Sequence, residues 1–398
     1  MKSQSESKKN NVTVLRPDRR LAVVGALKAL ALCAFLGLVV FYIWTYQDEL
    51  NRDNFRRIIS FLDSKSAEGG EMRDFTFEQG MDTVYVPLDI GMATYSGGNY
   101  NFLSAYSTGN FTQQLGFGSA AMADGDDRVL IYDRGGKGFA MVNSYSVLHR
   151  DTLDSPIVSA SVNPEGTYAI VTNQTGYRSA LTVWDKKNRQ IFQWKTAQHY
   201  LLLSSVSPGS KRAAVLSLGQ VEGRPDYTVK VFDMKSGEAA FELSLGEDRV
   251  YSMKHYGERL VLVCAGGLRF YSSSGSLVCS VDFSKKPLLA WDHREGELPL
   301  VALEGASGAE LYVWQPDGSQ VLSRTLESGD ISACRYRGGT LAVLCGKQLL
   351  VVSPEQYVLR TVREVRDLCV SAEGKVILVY SGKAGYFDET NYEEVPAA

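Results

Sequence analysis

Five residues concentrate polar chemistry in otherwise apolar runs: Lys254 and His255 in MKHY, Asp292 and His293 in WDHR, and Arg335 in CRYR. Cations, a carboxylate and imidazoles are the groups that hold a small polar or anionic ligand through charge-assisted hydrogen bonds. The competing reading is that they are strand ends whose charges touch water. Which one holds depends on whether the fold brings three stretches about forty residues apart to one place.

Other reactive patterns are weaker. The histidines His149, His199, His255 and His293 lie far apart, and none has a His or Cys at metal-ligand spacing. The acidic run DGDD, at Asp124 to Asp127, lacks the twelve-residue loop with a terminal Glu that Ca²⁺ requires and reads as a solvated turn. RGGKGFA, from Arg134 to Ala140, lacks phosphate-loop spacing and reads as a hairpin turn. No G-x-S-x-G elbow occurs. Of six cysteines, Cys33 sits in an apolar N-terminal run, while Cys264, Cys279, Cys334, Cys345 and Cys369 lie in apolar strand runs, where cysteine acts as a small hydrophobe. Five is odd, so at least one thiol is unpaired. The sequence therefore predicts no catalytic residue, metal site or cofactor.

The elements that position the five residues are legible from Ile157 to Thr196. IVSASVNPEG, TYAIVTNQTGYR, SALTVWDKKN and RQIFQWKT are short β-branched and aromatic runs separated by turn residues. Four strands in about forty residues form one blade of a β-propeller, which needs a neighbour on each side to bury both faces. The unit recurs: third strands end alike in TVWDKKN, KVFDMKSG, RFYSSSG, YVWQPDG and GYFDETN, and first turns repeat as VNPEGTYAI, VSPGSKRAAVL and VSAEGKVILV. Eight units result, with seven as the alternative count: 82–118, 119–155, 156–198, 199–247, 248–285, 286–328, 329–365 and 366 onward. The last unit shows three clear strands, so its fourth comes from Phe75 to Gln79 or from Tyr392 to Val395. First strands of blades line the central channel. MKHY, WDHR and CRYR are all first strands, of three successive units, and are expected to converge at the channel mouth.

Before the body, Leu21 to Tyr46 holds Lys28 as its only charge. A helix of that length outspans a hydrocarbon core of roughly 30 Å, with Tyr42, Trp44 and Tyr46 as an interfacial belt. Residues 1–20 carry Lys2, Lys8, Lys9, Arg16, Arg19 and Arg20 against Glu6 and Asp18, which places the N-terminus in the cytoplasm and the body outside. The expected division is a basic tail (1–20), a single transmembrane helix (21–46), a stalk (47–74) with a sparse apolar stripe from Leu50 to Leu62, and an all-β propeller (75–398). Net charge is −3, and the body is acidic, which argues against nucleic acid as a partner.

This layout, together with ADGDDRVLIYDRGGKGF and SPIVSASVNPEGTYAIVT, resembles an uncharacterised bacterial family of single-pass, membrane-anchored propellers of unknown function, similar in fold to quinoprotein and WD40-like propellers. The resemblance implies the fold and carries over no catalytic residue. Quinone-dependent dehydrogenases of similar fold carry an adjacent Cys-Cys pair, which this chain lacks. The expected function is a non-catalytic binding or scaffold module for cell-envelope proteins or polymers, with a degenerate quinoprotein-like oxidoreductase as the alternative.

Overall fold

The computed structural model describes residues 19–45 (side chains at Val24 and 27–41), 74–77, 80, 83–89, 91–105 and 110–394. The basic tail up to residue 18, the side chains of the aromatic belt, most of the stalk with its stripe, Gln79 and Val395 lie outside what the structure describes. The chain divides into two units, Met1–Phe55 and Arg56–Ala398. The first contains a helix over Arg19–Thr45 whose described side chains are exposed. Among the described residues no helix is long and apolar enough to cross a membrane.

The second unit consists of eight antiparallel sheets. Seven follow chain order as strand meanders: blade 1 (84–114), blade 2 (120–152), blade 3 (157–196), blade 4 (200–246), blade 5 (250–282), blade 6 (288–326) and blade 7 (331–361). Blade 8 takes three strands from 367–386 and its fourth from the other end of the unit, Phe75–Thr76, paired with Lys383 and Ala384. Phe77 N donates to Gly382 O at 3.1 Å and continues the seam. Of the two candidates for that strand, the early segment is the one used; Glu393–Glu394 instead pairs with Arg360 and Thr361 as a fifth strand of blade 7. The count is eight.

Strand alternation explains why the second strands are almost uniformly apolar. In blade 2, Val129 and Ile131 join blade 1, whereas Leu130 and Tyr132 join blade 3. The same division recurs around the ring, giving a hydrophobic cluster between every successive pair of blades and between blade 8 and blade 1. The last seam contains Phe75 and Cys369 from blade 8 with Met92 and Ala105 from blade 1. No edge is left between blades, so the ring is closed.

The repeated turns work by local chemistry. Asn163 Oδ1 accepts Thr167 N at 2.8 Å, Ser207 Oγ accepts Arg212 N at 3.0 Å, and Ser371 Oγ accepts Lys375 N at 3.1 Å. In the first, Gly166 has φ +85°, a left-handed conformation that glycine takes without strain.

Candidate functional site

The connection from the first to the second strand of blade 6, residues 293–299, is longer than its counterpart in any other blade. Arg294 forms an ion pair with Asp124 of blade 2, which stands opposite blade 6 in an eight-blade ring. Glu295 Oε2 accepts Ser205 Oγ of blade 4 and His255 N of blade 5, both at 2.9 Å. Gly296 N donates to His255 O at 2.8 Å, and a Cβ at Gly296 would lie 3.4 Å from Pro164 of blade 3. A short loop can reach blades 2, 3, 4 and 5 only from the axis. It therefore plugs one end of the channel.

The plug is an electrostatic construction. Arg337 of blade 7 lies 3.8 Å from Asp124 and 3.5 Å from Asp126. Burial pushes the Asp124 carboxyl up, but Arg294, Arg337 and Lys254 together outweigh it and hold the group below the usual carboxylate range. Glu295, 4% exposed, has Lys254 Nζ at 3.6 Å from Oε1, beyond hydrogen-bond reach. Burial raises its pKa despite that charge and its two donors.

Of the five residues singled out by sequence, four lie at this closed end. Lys254 faces Glu295. His255, 2% exposed, shares a 2.7 Å hydrogen bond with Ser205, and His293, 9% exposed, shares one of 3.0 Å with Ser252. Burial, with Lys254 nearby and Arg212 also near His255, lowers both imidazoles to about 3, so they are neutral. Asp292 accepts Tyr336 N at 2.9 Å and lies 3.8 Å from Arg294. These side chains hold the plug, and the two imidazoles are buried rather than wet strand ends.

Arg335 belongs to a different place. The channel continues as a well of about 470 Å³ whose lining includes Tyr85, Met122, Arg134, Arg294, Arg335 and Asp367. Arg335 Nη2 reaches both oxygens of Asp367, at 3.1 and 3.3 Å, and Tyr85 OH donates to Asp367 Oδ2 at 2.7 Å. Burial and the adjacent carboxylate raise the Tyr85 pKa, so the phenol remains a donor.

The first strands of blades 3 to 7 share a further device. Each shifts register near its start, setting Val158, Leu202, Tyr251, Leu289 and Ser332 out of the ladder. On these innermost strands Leu289 and Trp291 are 38% and 39% exposed. Trp291 stacks on Tyr251 at 4.9 Å between ring centroids.

Sequence reasoning missed Asp124, Glu295, Asp367, Tyr85 and the Tyr251–Trp291 pair. DGDD is not simply a solvated turn: Gly125 N does bond Arg128 O at 2.9 Å, but Asp124 anchors the plug. The available signal was the length and charge of DHREGELP, where other blades place a compact turn. Among the described residues no group of three or more His, Cys, Asp or Glu could hold a metal ion.

Comparison with known proteins agrees with this architecture. A computationally designed protein, Ika8, superposes with a TM-score of 0.56 at 13% identity, covering 79% of this chain and 99% of that one. The C-terminal WD40 domain of Sif2 superposes with a TM-score of 0.53 at 12% identity, covering 82% and 98%. At such identities the likeness is one of fold. No curated protein matches the chain in sequence. A family model, "Family of unknown function (DUF5711)", matches residues 71–353, and the chain belongs to that family.

Proposed function

We propose that this protein is a non-catalytic binding or scaffold module, held to the outer face of a cytoplasmic membrane by a single N-terminal span and recognising envelope proteins or polymers. The observation that carries the reading is the closed, plugged ring. Both ends of the propeller unit are stitched into the sheets, and a non-local ion network immobilises one end of the channel. What such a body offers is loops on a rigid scaffold and an open well. Anchoring is read from the amino-acid sequence, where Lys28 is the only charge between Leu21 and Tyr46, and orientation from the basic tail before it.

Immobilised full-length chain in detergent, challenged with envelope extract and wall fragments, is expected to retain a component saturably and to lose it on heat unfolding. A purified chain that carries quinone with Ca²⁺ and reduces an electron acceptor would overturn this reading in favour of an oxidoreductase. Protease added to intact protoplasts is expected to digest the propeller. Protection until the membrane is broken would reverse the orientation.

A further inference from the structure

We propose that the open well of the channel binds an oxyanion, a carboxylate or phosphate group, held by Arg134 and Arg335, with Arg294 of the plug adding to the positive field. The inference rests on the binding-module reading and names a ligand class for it. Three observations carry it, and the charged residues they turn on, Arg134, Arg294, Arg335 and Asp367, line one cavity.

The first is a guanidinium left over. Arg134 is exposed on the wall of the well and has no ion pair among the described residues. The carboxylate next to it in sequence is spent elsewhere: Asp133 Oδ1 accepts Ser119 N at 2.8 Å, and Oδ2 folds back over Gly136. The backbone at Arg134 is pinned to the seam between blades 2 and 3, because Arg134 N donates to Ser119 O and Gly135 N to Ile157 O, both at 2.8 Å. RGGKGFA is thus a turn that also sets an unpaired arginine on the channel wall. On a convex surface such an arginine would be ordinary; in a concave wall it faces whatever enters.

The second is the imbalance of the lining. Three guanidiniums and one carboxylate line the well, in a chain whose net charge is −3. The carboxylates that hold Arg294 lie off this wall: Asp124 borders a small void inside the plug, and Asp292 is not part of the lining. Burial opposes the charges on Arg294 and Arg335, but neighbouring carboxylates outweigh it and raise both pKa values, so both remain cations. Low-dielectric walls around one sign of charge focus the field into the cavity.

The third is unused donor capacity with fixed orientation. Arg335 spends Nη1 on Cys334 O at 2.8 Å and Nη2 on the two oxygens of Asp367, which leaves its Nε–H without an acceptor among the described residues. Tyr85 braces the same carboxylate from the other side. A guanidinium fork matches the paired oxygens of a carboxylate or phosphate, and such bonds are stronger than those to neutral acceptors. A cation would meet three like charges here, and a neutral molecule would leave the charge of Arg134 unanswered. The cavity, about 470 Å³, is of the size that small-molecule sites occupy.

The test is calorimetric titration of the full-length chain in detergent with inorganic phosphate, citrate and glucose, at one ionic strength held with sodium chloride so that screening is the same in every run. Phosphate or citrate should bind saturably with a Kd below about 10 mM, weakened about tenfold or more in Arg134→Gln. Because Arg134 has no ion pair among the described residues, that replacement should move the melting temperature by no more than about two degrees. Arg134→Lys, which keeps the charge and loses the fork, should lose less affinity than Arg134→Gln and serves if the glutamine variant unfolds. The tighter of the two anions identifies the group as phosphate or carboxylate. The proposal falls if neither anion binds, if glucose binds as tightly as the better anion, or if Arg134→Gln binds as the natural chain does. Saturable retention of an envelope component by a chain that binds neither anion would sink the well assignment and leave the binding-module reading standing. Anion binding through Arg134 by a chain that retains no envelope component would keep the site and overturn the envelope partner.

Discussion

Acidification should loosen this propeller through two histidines. His255 and His293 are buried beside the plug and have folded-state pKa values of about 3, against an ordinary value near 6.5. In both cases burial is the main cause. Lys254 adds to it for both, and Arg212 for His255. The remaining groups facing His255 are the Ser205 hydroxyl and the Glu295 carboxylate on its backbone N–H; His293 faces Ser252. A lowered pKa means that the fold holds the neutral imidazole, so the stabilisation is fully present above about 6.5. As pH falls towards 3 the unfolded chain takes up protons that the folded chain refuses, and stability is lost.

At pH 5 each histidine is 1.5 units below its unfolded value, which corresponds to about 2 kcal/mol apiece and about 4 kcal/mol for the pair. Glu295 acts in the opposite sense. Its pKa is raised, so the folded chain binds that proton more readily, and stability from this group rises as pH falls through its folded value. The observed loss should therefore be somewhat below 4 kcal/mol. The assay is urea unfolding at pH 7, 6 and 5 for the natural chain and for His255→Gln combined with His293→Gln. The double variant starts less stable at pH 7, but its stability should change far less on acidification. An equal pH slope in the two proteins would refute the assignment of acid sensitivity to these imidazoles.

Arg294→Ala strands Asp124 without its main cation; since both side chains keep some solvent contact (15% and 22%), the loss should fall near 2 to 3 kcal/mol, between exposed and buried pairs. Asp124→Asn should be non-additive with it by about 1 kcal/mol or more in a double-mutant cycle read by urea midpoints, and strict additivity would count against the plug. Phe75→Ala should cost about 3 kcal/mol or more, because Phe75 is 3% exposed in the seam that closes the ring; a melting temperature within a degree or so of the natural chain would show that the early strand is dispensable. Among the body cysteines, Cys264, Cys334, Cys345 and Cys369 are buried and Cys279 only partly so, with the thiols of Cys264, Cys334 and Cys369 pushed up to about 12 chiefly by burial. Alkylation of the folded chain at neutral pH should mark Cys279 ahead of those four, as mass spectrometry of the digested protein would show.

How much of this was legible follows from the range of the interactions involved. The blades could be cut from sequence because their punctuation is local: a side chain such as Asn163 or Ser207 caps a turn within five residues of itself, and the same chemistry returns in Ser371. The closing strand was legible only as a choice between two ends, since nothing near Phe75 specifies Ala384 as its partner. The site is harder still. Arg294 and Asp124 are 170 residues apart, and their meeting depends on there being eight blades, which sets blade 2 across from blade 6. Proximity of MKHY, WDHR and CRYR did follow from the repeat, but their division between a sealed end and an open well did not, because that depends on which way one loop folds. The repeat nevertheless contains the clue in its irregularities. A ring of equivalent blades needs equivalent connections, so a connection that is longer and more charged, as 293–299 is, must serve something other than joining two strands. The register shifts that displace Tyr251 and Leu289 are departures of the same kind, and they too lie on the strands around the axis. In a propeller the regular part builds the walls, and the places where regularity fails are where a ligand, a plug or a partner has to be sought.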